Sequence, residues 1–252
     1  LGGPVQEKVP AYASMLGLSL EPEDVARRCR EYADKGYSAM KWFFRHGPES
    51  GLSGMKDNID LVKTVRDAVG YDAELMLDCW MSWSVPYTIK MAKKLERYEP
   101  AWLEEPLMPD NIDGYSELSR RLQIPIVGGE HEYTRWGARE LLKRKAVDIL
   151  QMDVTWARGI TEMRKICALE SSEGVPVIPH AGWVEAAQSV TFSQPKDVCP
   201  MIEYLVKYAV IQQAFNKEKI YPEGGFFHAP RKIGLGFEPQ IDISVADDCR
   251  ID

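Results

Sequence analysis

A TIM-type (β/α)8 barrel of the α/β class is the fold this sequence predicts, on three observations. Eight short apolar runs recur along the chain, and six of them end on a carboxylate or a histidine. The endings are Asp78, the Glu104–Glu105 pair, Glu130, Asp153, His180 and Glu203. The runs are nearly continuously apolar, and the second to the seventh are each followed by helical sequence, as strands of a parallel sheet buried on both faces are. A glycine-rich phosphate loop is missing after the first run, which argues against an open doubly wound sheet. The 252 residues match one barrel domain.

The elements follow in order. Strand one is residues 8–14. Pro22 with Glu23 and Asp24 opens a helix, because proline fits the first turn and acids favour the positive end of the helix dipole. Gly36 stops that helix. Strand two is 38–44, and a helix follows from about 55 to 69 after a glycine-containing loop. Strand three is 74–80, and its helix starts at Pro86. Strand four is 101–105, and strand five is 124–130 with a helix over 134–145. Strand six is 147–153, with its helix over 159–174. Strand seven, 175–180, precedes a helix over 182–192, and strand eight is 200–205. Residues 1–220 thus read as the barrel, and 221–252 as a turn-rich, irregular tail.

Composition narrows the classes of function. A net charge of −7 argues against a general nucleic-acid surface. Apolar stretches fall short of the roughly 20 residues a membrane helix needs. The five cysteines, at 29, 79, 167, 199 and 249, are odd in number and include no CxxC pair. They read as reduced thiols of a cytoplasmic protein. The chain starts without Met and reads as one domain of a longer protein.

Charged residues at the ends of buried strands need a reason. Asp78, Glu104 and Glu130 end three successive strands, which are neighbours around a barrel mouth. Three carboxylates gathered without a cation repel, and at least one must take a raised pKa. A hard divalent cation removes the problem, and Mg2+ suits all-oxygen ligation. The bland alternative for each acid is a salt bridge to the next helix. Asp153 and His180 end strands six and seven, where a carboxylate orients an imidazole and raises its basicity. Lys41 on strand two either donates to a substrate oxygen or pairs with a metal-ligand acid. Glu203 on strand eight is either a protonated donor to a developing anion or a partner for Lys41 or the tail.

Four further residues are candidate substrate contacts. His131 follows Glu130 directly, and adjacent strand residues face opposite sides. It is therefore not expected on the same metal, although it can reach the pocket from the loop. His46, beside Arg45, either binds a carboxylated substrate or is a solvated loop residue. Trp80 and Trp183, together with Trp83, are candidate pocket walls.

The stretches MLDCW, WLEEP, GGEHEYTRWG, LQMDVTWARGITE and VPVIPH resemble successive strand-end motifs of the enolase superfamily, mandelate racemase subgroup. Within it the chain is most like the acid-sugar dehydratases of the rhamnonate type. The resemblance implies Mg2+ on Asp78, Glu104 and Glu130, and Asp153–His180 as the acid/base dyad. It also implies Glu203 as a stabiliser of the enediolate, and Lys41 is expected to share that role. Many members carry a second lysine on strand two as a base for the opposite substrate face. Phe43 stands there in this chain. One base suffices for dehydration, since one histidine can take the α-proton and then protonate the departing 3-hydroxyl.

The implied activity is Mg2+-dependent dehydration of an aldonate such as L-rhamnonate to a 2-keto-3-deoxy acid. The rivals are an epimerase, racemase or cycloisomerase on the same scaffold, and a non-catalytic barrel that binds a sugar acid. The expected setting is a cytoplasmic homo-oligomer acting on a small acid sugar, with neither nucleic acid nor membrane as partner. The family's N-terminal capping domain is not expected within these residues.

Overall fold

A computed structural model describes residues 1–240 of the chain. The outer part of the predicted tail, 241–252, and Cys249 with it, lie outside the described residues. The strands are β1 Lys8–Ser14, β2 Ala39–Phe43, β3 Glu74–Asp78, β4 Trp102–Glu104, β5 Ile126–Gly128, β6 Ile149–Leu150, β7 Ile202–Leu205 and β8 Phe226–His228. The helices are α1 Pro22–Asp34, α2 Gly51–Val69, α3 Val85–Leu95, α4 Ile112–Arg121, α5 Thr134–Lys143, α6 Ile160–Glu173, α7 Val184–Phe192 and α8 Val206–Ala214. The first seven strands pair in the order β6-β5-β4-β3-β2-β1-β7, every pair parallel.

The ring closes between β6 and β7 through residues 175–180. The expected seventh strand survives there as isolated bridges, Leu150 to Val177 and Asp153 to His180. On one side Leu150 N donates to Pro176 O (2.9 Å) and Ile178 N to Leu150 O (2.9 Å). On the other, Val177 N donates to Val198 O (2.8 Å). Pro176 and Pro179 have no N–H to give, so a regular ladder cannot form along this segment.

Strand alternation sends side chains into two cores. Tyr12, Ala39, Met76, Trp102, Val127 and Ile178 meet inside the barrel. The intervening Ala11, Met40, Leu75, Leu77, Leu103 and Ile126 pack outward against helix residues such as Val25, Val62, Met91 and Leu95. Burial on both faces explains why the runs are continuously apolar. Each fully buried Leu, Met or Phe contributes roughly 1.5–3 kcal/mol.

Three elements depart from the sequence reading. The tail is not wholly irregular, since β8 adds antiparallel to β1 with Val9 opposite Phe227, and Phe227 is fully buried. Helix α4 stands where helical sequence was expected after strand four, but its bounds are blurred in the sequence by Gly114 in the first turn; the Asn111 side chain caps it, accepting from Gly114 N at 3.1 Å. Helix α8 went unread because it follows β7 without a turn residue between Leu205 and Val206. Among the described residues, no helix is long and apolar enough to cross a membrane.

Candidate active site at the barrel mouth

The carboxyl ends of the strands gather the polar side chains. Asp78 and Glu104 are register partners on β3 and β4, and Phe43 pairs with Asp78 from β2. One layer deeper on β2, Lys41 faces three acids. Its Nζ lies 2.8 Å from Glu203 and 3.9 Å from Asp78, and it pairs more closely with Glu104. Burial works against the lysine's charge, but Glu104, Glu203 and Asp78 outweigh it and raise its pKa. Burial alone would raise the pKa of Glu203. The charges of Lys41 and His180, with bonds from Lys41 and the Ala181 amide, reverse that and carry it down to about 2. Of its two expected placements, Glu203 takes the one beside Lys41.

The other acids are not compensated in this way. Burial, with Asp78, Glu203 and Glu130 nearby, holds Glu104 well above the usual carboxylate range despite Lys41. Trp102 Nε1 donates to its second oxygen at 3.1 Å. Burial, together with Glu105 and Asp78, pushes Glu130 up to about 7 although His180 opposes it.

Asp153 and His180 face each other across the barrel seam. His180 Nδ1 lies 3.0 Å from Asp153 Oδ2, and the Gly182 amide donates to the same oxygen at 3.1 Å. Asp153 Oδ1 accepts from the amides of Thr155 (2.7 Å) and Trp156 (3.0 Å) and from the Thr155 hydroxyl. Burial raises the Asp153 pKa, but the bonds from His180, Thr155 and Trp156 prevail and hold it at about 2. His180 Nε2 points into the mouth, 3.6 Å from Glu130 and 3.7 Å from Glu203. Burial opposes charging this imidazole, yet Glu203, Asp153 and Glu130 carry it up to about 10.

Beside this couple lies a group the sequence reading did not assemble. Glu105, Glu130 and His131 present ligand atoms within 4.8 Å of one another, a spacing that among the described residues only this group of acids and imidazoles meets. His131 Nδ1 is 2.6 Å from Glu105 Oε2 and 3.6 Å from Glu130 Oε1. Alternation argued against His131 sharing a metal with Glu130; the structure takes the other course, in which His131 reaches the pocket from the loop, and brings it beside Glu130. Strand alternation stops at Gly128, and Gly129 at φ 116° turns the chain before Glu130 and His131. Glu105 takes φ 37°, so it too has left the strand, and it accepts from the Gly129 amide at 3.3 Å. The tandem acids before Pro106 were the available signal, but they do not say which of the two turns toward β5. Here Glu104 turns to Lys41 and Glu105 to Glu130.

Four other expected pocket residues make contacts of their own. His46 contacts Ser50 (3.2 Å) and Asp57 (3.6 Å) and lines a cavity with Val25, Leu61 and Thr64 beside α1 and α2. Trp83 is buried between Phe44 and Tyr87 and donates to His46 O at 3.0 Å, so it is core and not pocket wall. Trp80 is 61% exposed; its amide, not its ring, serves the site by donating to Asp78 at 2.8 Å. Trp183 precedes α7, half exposed, with its ring edge on Phe237.

Buried carboxylates with raised pKa values at one mouth suit a cation. The donors are mostly oxygen, as Mg2+ prefers, with the His131 nitrogen beside them.

Comparison with known proteins agrees with this fold. The family model described as "Enolase C-terminal domain-like" matches residues 24–243. The L-rhamnonate dehydratase of Saccharopolyspora erythraea is 34% identical over 253 residues, covering 96% of this chain and 61% of the relative. The crystal structure of L-rhamnonate dehydratase from Gibberella zeae is similar at a TM-score of 0.80 and 30% identity, covering 95% of this chain and 60% of that one. A member of the enolase superfamily from Salmonella Typhimurium shares the fold at a TM-score of 0.88 and 24% identity, over 96% of this chain and 68% of that one. The chain therefore spans about three fifths of the length of the two dehydratases. Matched over most of its residues, with its acids gathered where parallel strands end, the chain belongs to the enolase C-terminal domain-like family.

Proposed function

We propose that this chain is the barrel of an acid-sugar dehydratase, acting on an aldonate of which L-rhamnonate is one example. The observation that carries the reading is the Asp153–His180 couple, whose free imidazole nitrogen points at Glu130 and Glu203 across the mouth. The names of the similar dehydratases support the same reading. Glu130 with Glu105 and His131, or with Asp78 and Glu104, would hold Mg2+ there. When bound, that ion supplies Lewis acidity to a substrate carboxylate, which acidifies the adjacent C–H.

The chain's own groups account for the proton movements. His180 Nε2 takes the proton from C2, while Asp153 holds Nδ1 and stabilises the imidazolium that forms. The same imidazolium then protonates the 3-hydroxyl, which leaves C3 as water. The resulting enol tautomerises to the 2-keto-3-deoxy acid, so the net change is loss of one water. Lys41 places a buried positive charge beside the carboxylates and limits the cost of adding another anion. With a divalent cation among the acids, the charge that keeps His180 protonated is offset, and the neutral imidazole a base requires becomes accessible. Phe43, at the level of Asp78, offers no proton acceptor on the opposite face.

Incubation with Mg2+ and a panel of aldonates in D2O, followed by proton NMR, tests the reading. The expected product is a keto-deoxy acid from one C2 configuration. Exchange at C2 without elimination would replace dehydratase by epimerase.

A further inference from the structure

We infer that Thr155 and Gly182 are positioning residues for the Asp153–His180 couple, fixing the carboxylate from both sides so that the imidazole can point in one direction only. The inference rests on the proton-transfer reading above and deepens it. Asp153 lies three residues past the end of β6, joined to His180 by an isolated bridge. Its Oδ1 is enclosed by the turn that follows, with bonds from Thr155 N, Thr155 Oγ1 and Trp156 N. Its Oδ2 is shared between His180 Nδ1 and the Gly182 amide. A carboxylate with all these donors in place has no freedom to rotate, and the direction of the bond to His180 follows from it.

Two details separate this from ordinary loop structure. Thr155 is an exposed residue, so packing gives no reason for a β-branched hydroxyl there, whereas the hydroxyl's bond to Asp153 does. Gly182 is glycine for want of space: a Cβ there would fall inside van der Waals contact of Asp153 Oδ2 and 3.5 Å from His180 Nδ1. The same turn carries Trp156, whose ring meets His131 edge-on at 5.3 Å. Both imidazoles of the mouth are therefore braced by one short segment.

The test compares Thr155→Val, Thr155→Ser and Gly182→Ala, the first also in the Asp153→Asn background. Thr155→Val should lower kcat roughly 10–100-fold, the range seen when a group orienting a functional imidazole is lost. KM and melting temperature should stay near those of the parent. Thr155→Ser should restore most of the rate, and Gly182→Ala should cost at least as much as Thr155→Val. In the Asp153→Asn background Thr155→Val should change nothing further. A loss of equal size in that background, or a parent-like kcat in Thr155→Val, overturns the inference.

A second readout needs no turnover. With four histidines in the chain, at 46, 131, 180 and 228, the imidazole nitrogen–proton spectrum of the Mg2+-loaded protein can be assigned by substitution. Thr155→Val should weaken or shift the His180 Nδ1–H signal and leave that of His46 in place. If the parent dehydrates no acid sugar, the functional reading fails while this spectrum still decides the positioning role. An unchanged His180 signal overturns it.

Discussion

The two ends of this barrel solve opposite problems. At the base, Arg66 of α2 satisfies the loops that lead into β3 and β4. Its guanidinium donates to the carbonyls of Tyr98 (2.7 Å), Glu99 (2.7 Å), Gly70 (3.0 Å) and Ala73 (2.6 Å). At the mouth, Lys41 faces three carboxylates and cannot balance them. Backbone strain divides the same way. Trp80, Met81, Glu105 and Arg158 have positive φ and lie in loops after strands, and Thr134, also at positive φ, is the first residue of α5. Glu99 and Lys145, the two described non-glycine residues with positive φ at the base, follow helix ends, where a left-handed residue is ordinary. The base supplies stability, and the mouth spends some of it on charge and strain held in place for chemistry.

The largest effect that would sharpen this contrast is on turnover. His180→Asn should reduce kcat by at least the 10²–10⁴-fold typical of general-base assistance, and more if the residue serves both as base and as acid. Mg2+ binding measured by calorimetry should persist. Substantial residual dehydration would remove His180 from the reaction and leave its contact with Asp153 merely structural.

A substitution at the base should act on stability instead. Arg66→Met removes donors from four carbonyls, and a buried polar group left unpaired costs about 1–3 kcal/mol. Several such losses should lower stability to urea by about 3–5 kcal/mol, while the rate per folded molecule stays near that of the parent. Equal losses of rate and stability would mean the two ends are not independent.

Mg2+ titration probes the mouth from the other side. A ligand of the folded state at 100 times its Kd adds about 2.7 kcal/mol. The parent should therefore gain that much in thermal or urea unfolding. Glu130→Gln should be more stable than the parent without metal, because burial and its acidic neighbours disfavour the charge, and should lose most of the gain with it. An unchanged Mg2+ response in that variant would exclude Glu130 as a ligand.

Glu170 breaks the comparison and predicts the smallest effect. It lies on α6 in the outer shell, fully buried, and neither carboxylate oxygen has a hydrogen-bond partner. Burial, with Cys167 and Glu173 nearby, pushes its pKa from 4.5 up to about 8. Between those values the folded chain keeps a proton that the unfolded chain releases, so stability falls as pH rises through that window. Below it the folded chain loses nothing by keeping Glu170 neutral. Glu170→Gln should flatten this dependence and stabilise the chain at pH 8 by about 1–3 kcal/mol. Parallel pH–stability curves for parent and variant would show that Glu170 is charged and solvated in solution.

How far the sequence could be read depends on what each residue answers to. The strands were legible because both faces are buried, so an apolar run and a strand coincide. The meeting of Asp153 with His180 was legible because each ends a run and the runs are neighbours. Residues beyond the strand ends follow the turn, not the period of two, and there the reading failed. Alternation argues against His131 beside Glu130, and only the loop could bring it to the pocket; Gly129 at φ 116° turns the chain so that it does. Glu104 and Glu105 are indistinguishable in composition, and φ 37° at Glu105 separates their directions. The seventh strand was legible as an apolar run, but its prolines leave it bridges instead of a ladder.

That proline-bearing seam also bears on how the ring behaves when it opens. A closed sheet has no edges, and the cost of opening is set by the weakest junction. The ladder is thinnest between β6 and β7, so the first breach belongs there. A breached sheet normally offers a row of unpaired amides on which other chains can grow. Here one lip is β6, two residues long, and the released segment carries Pro176 and Pro179 in place of donors. The barrel thus parts where the exposed rim is least able to recruit a foreign strand, and a transient opening can close again without seeding aggregation.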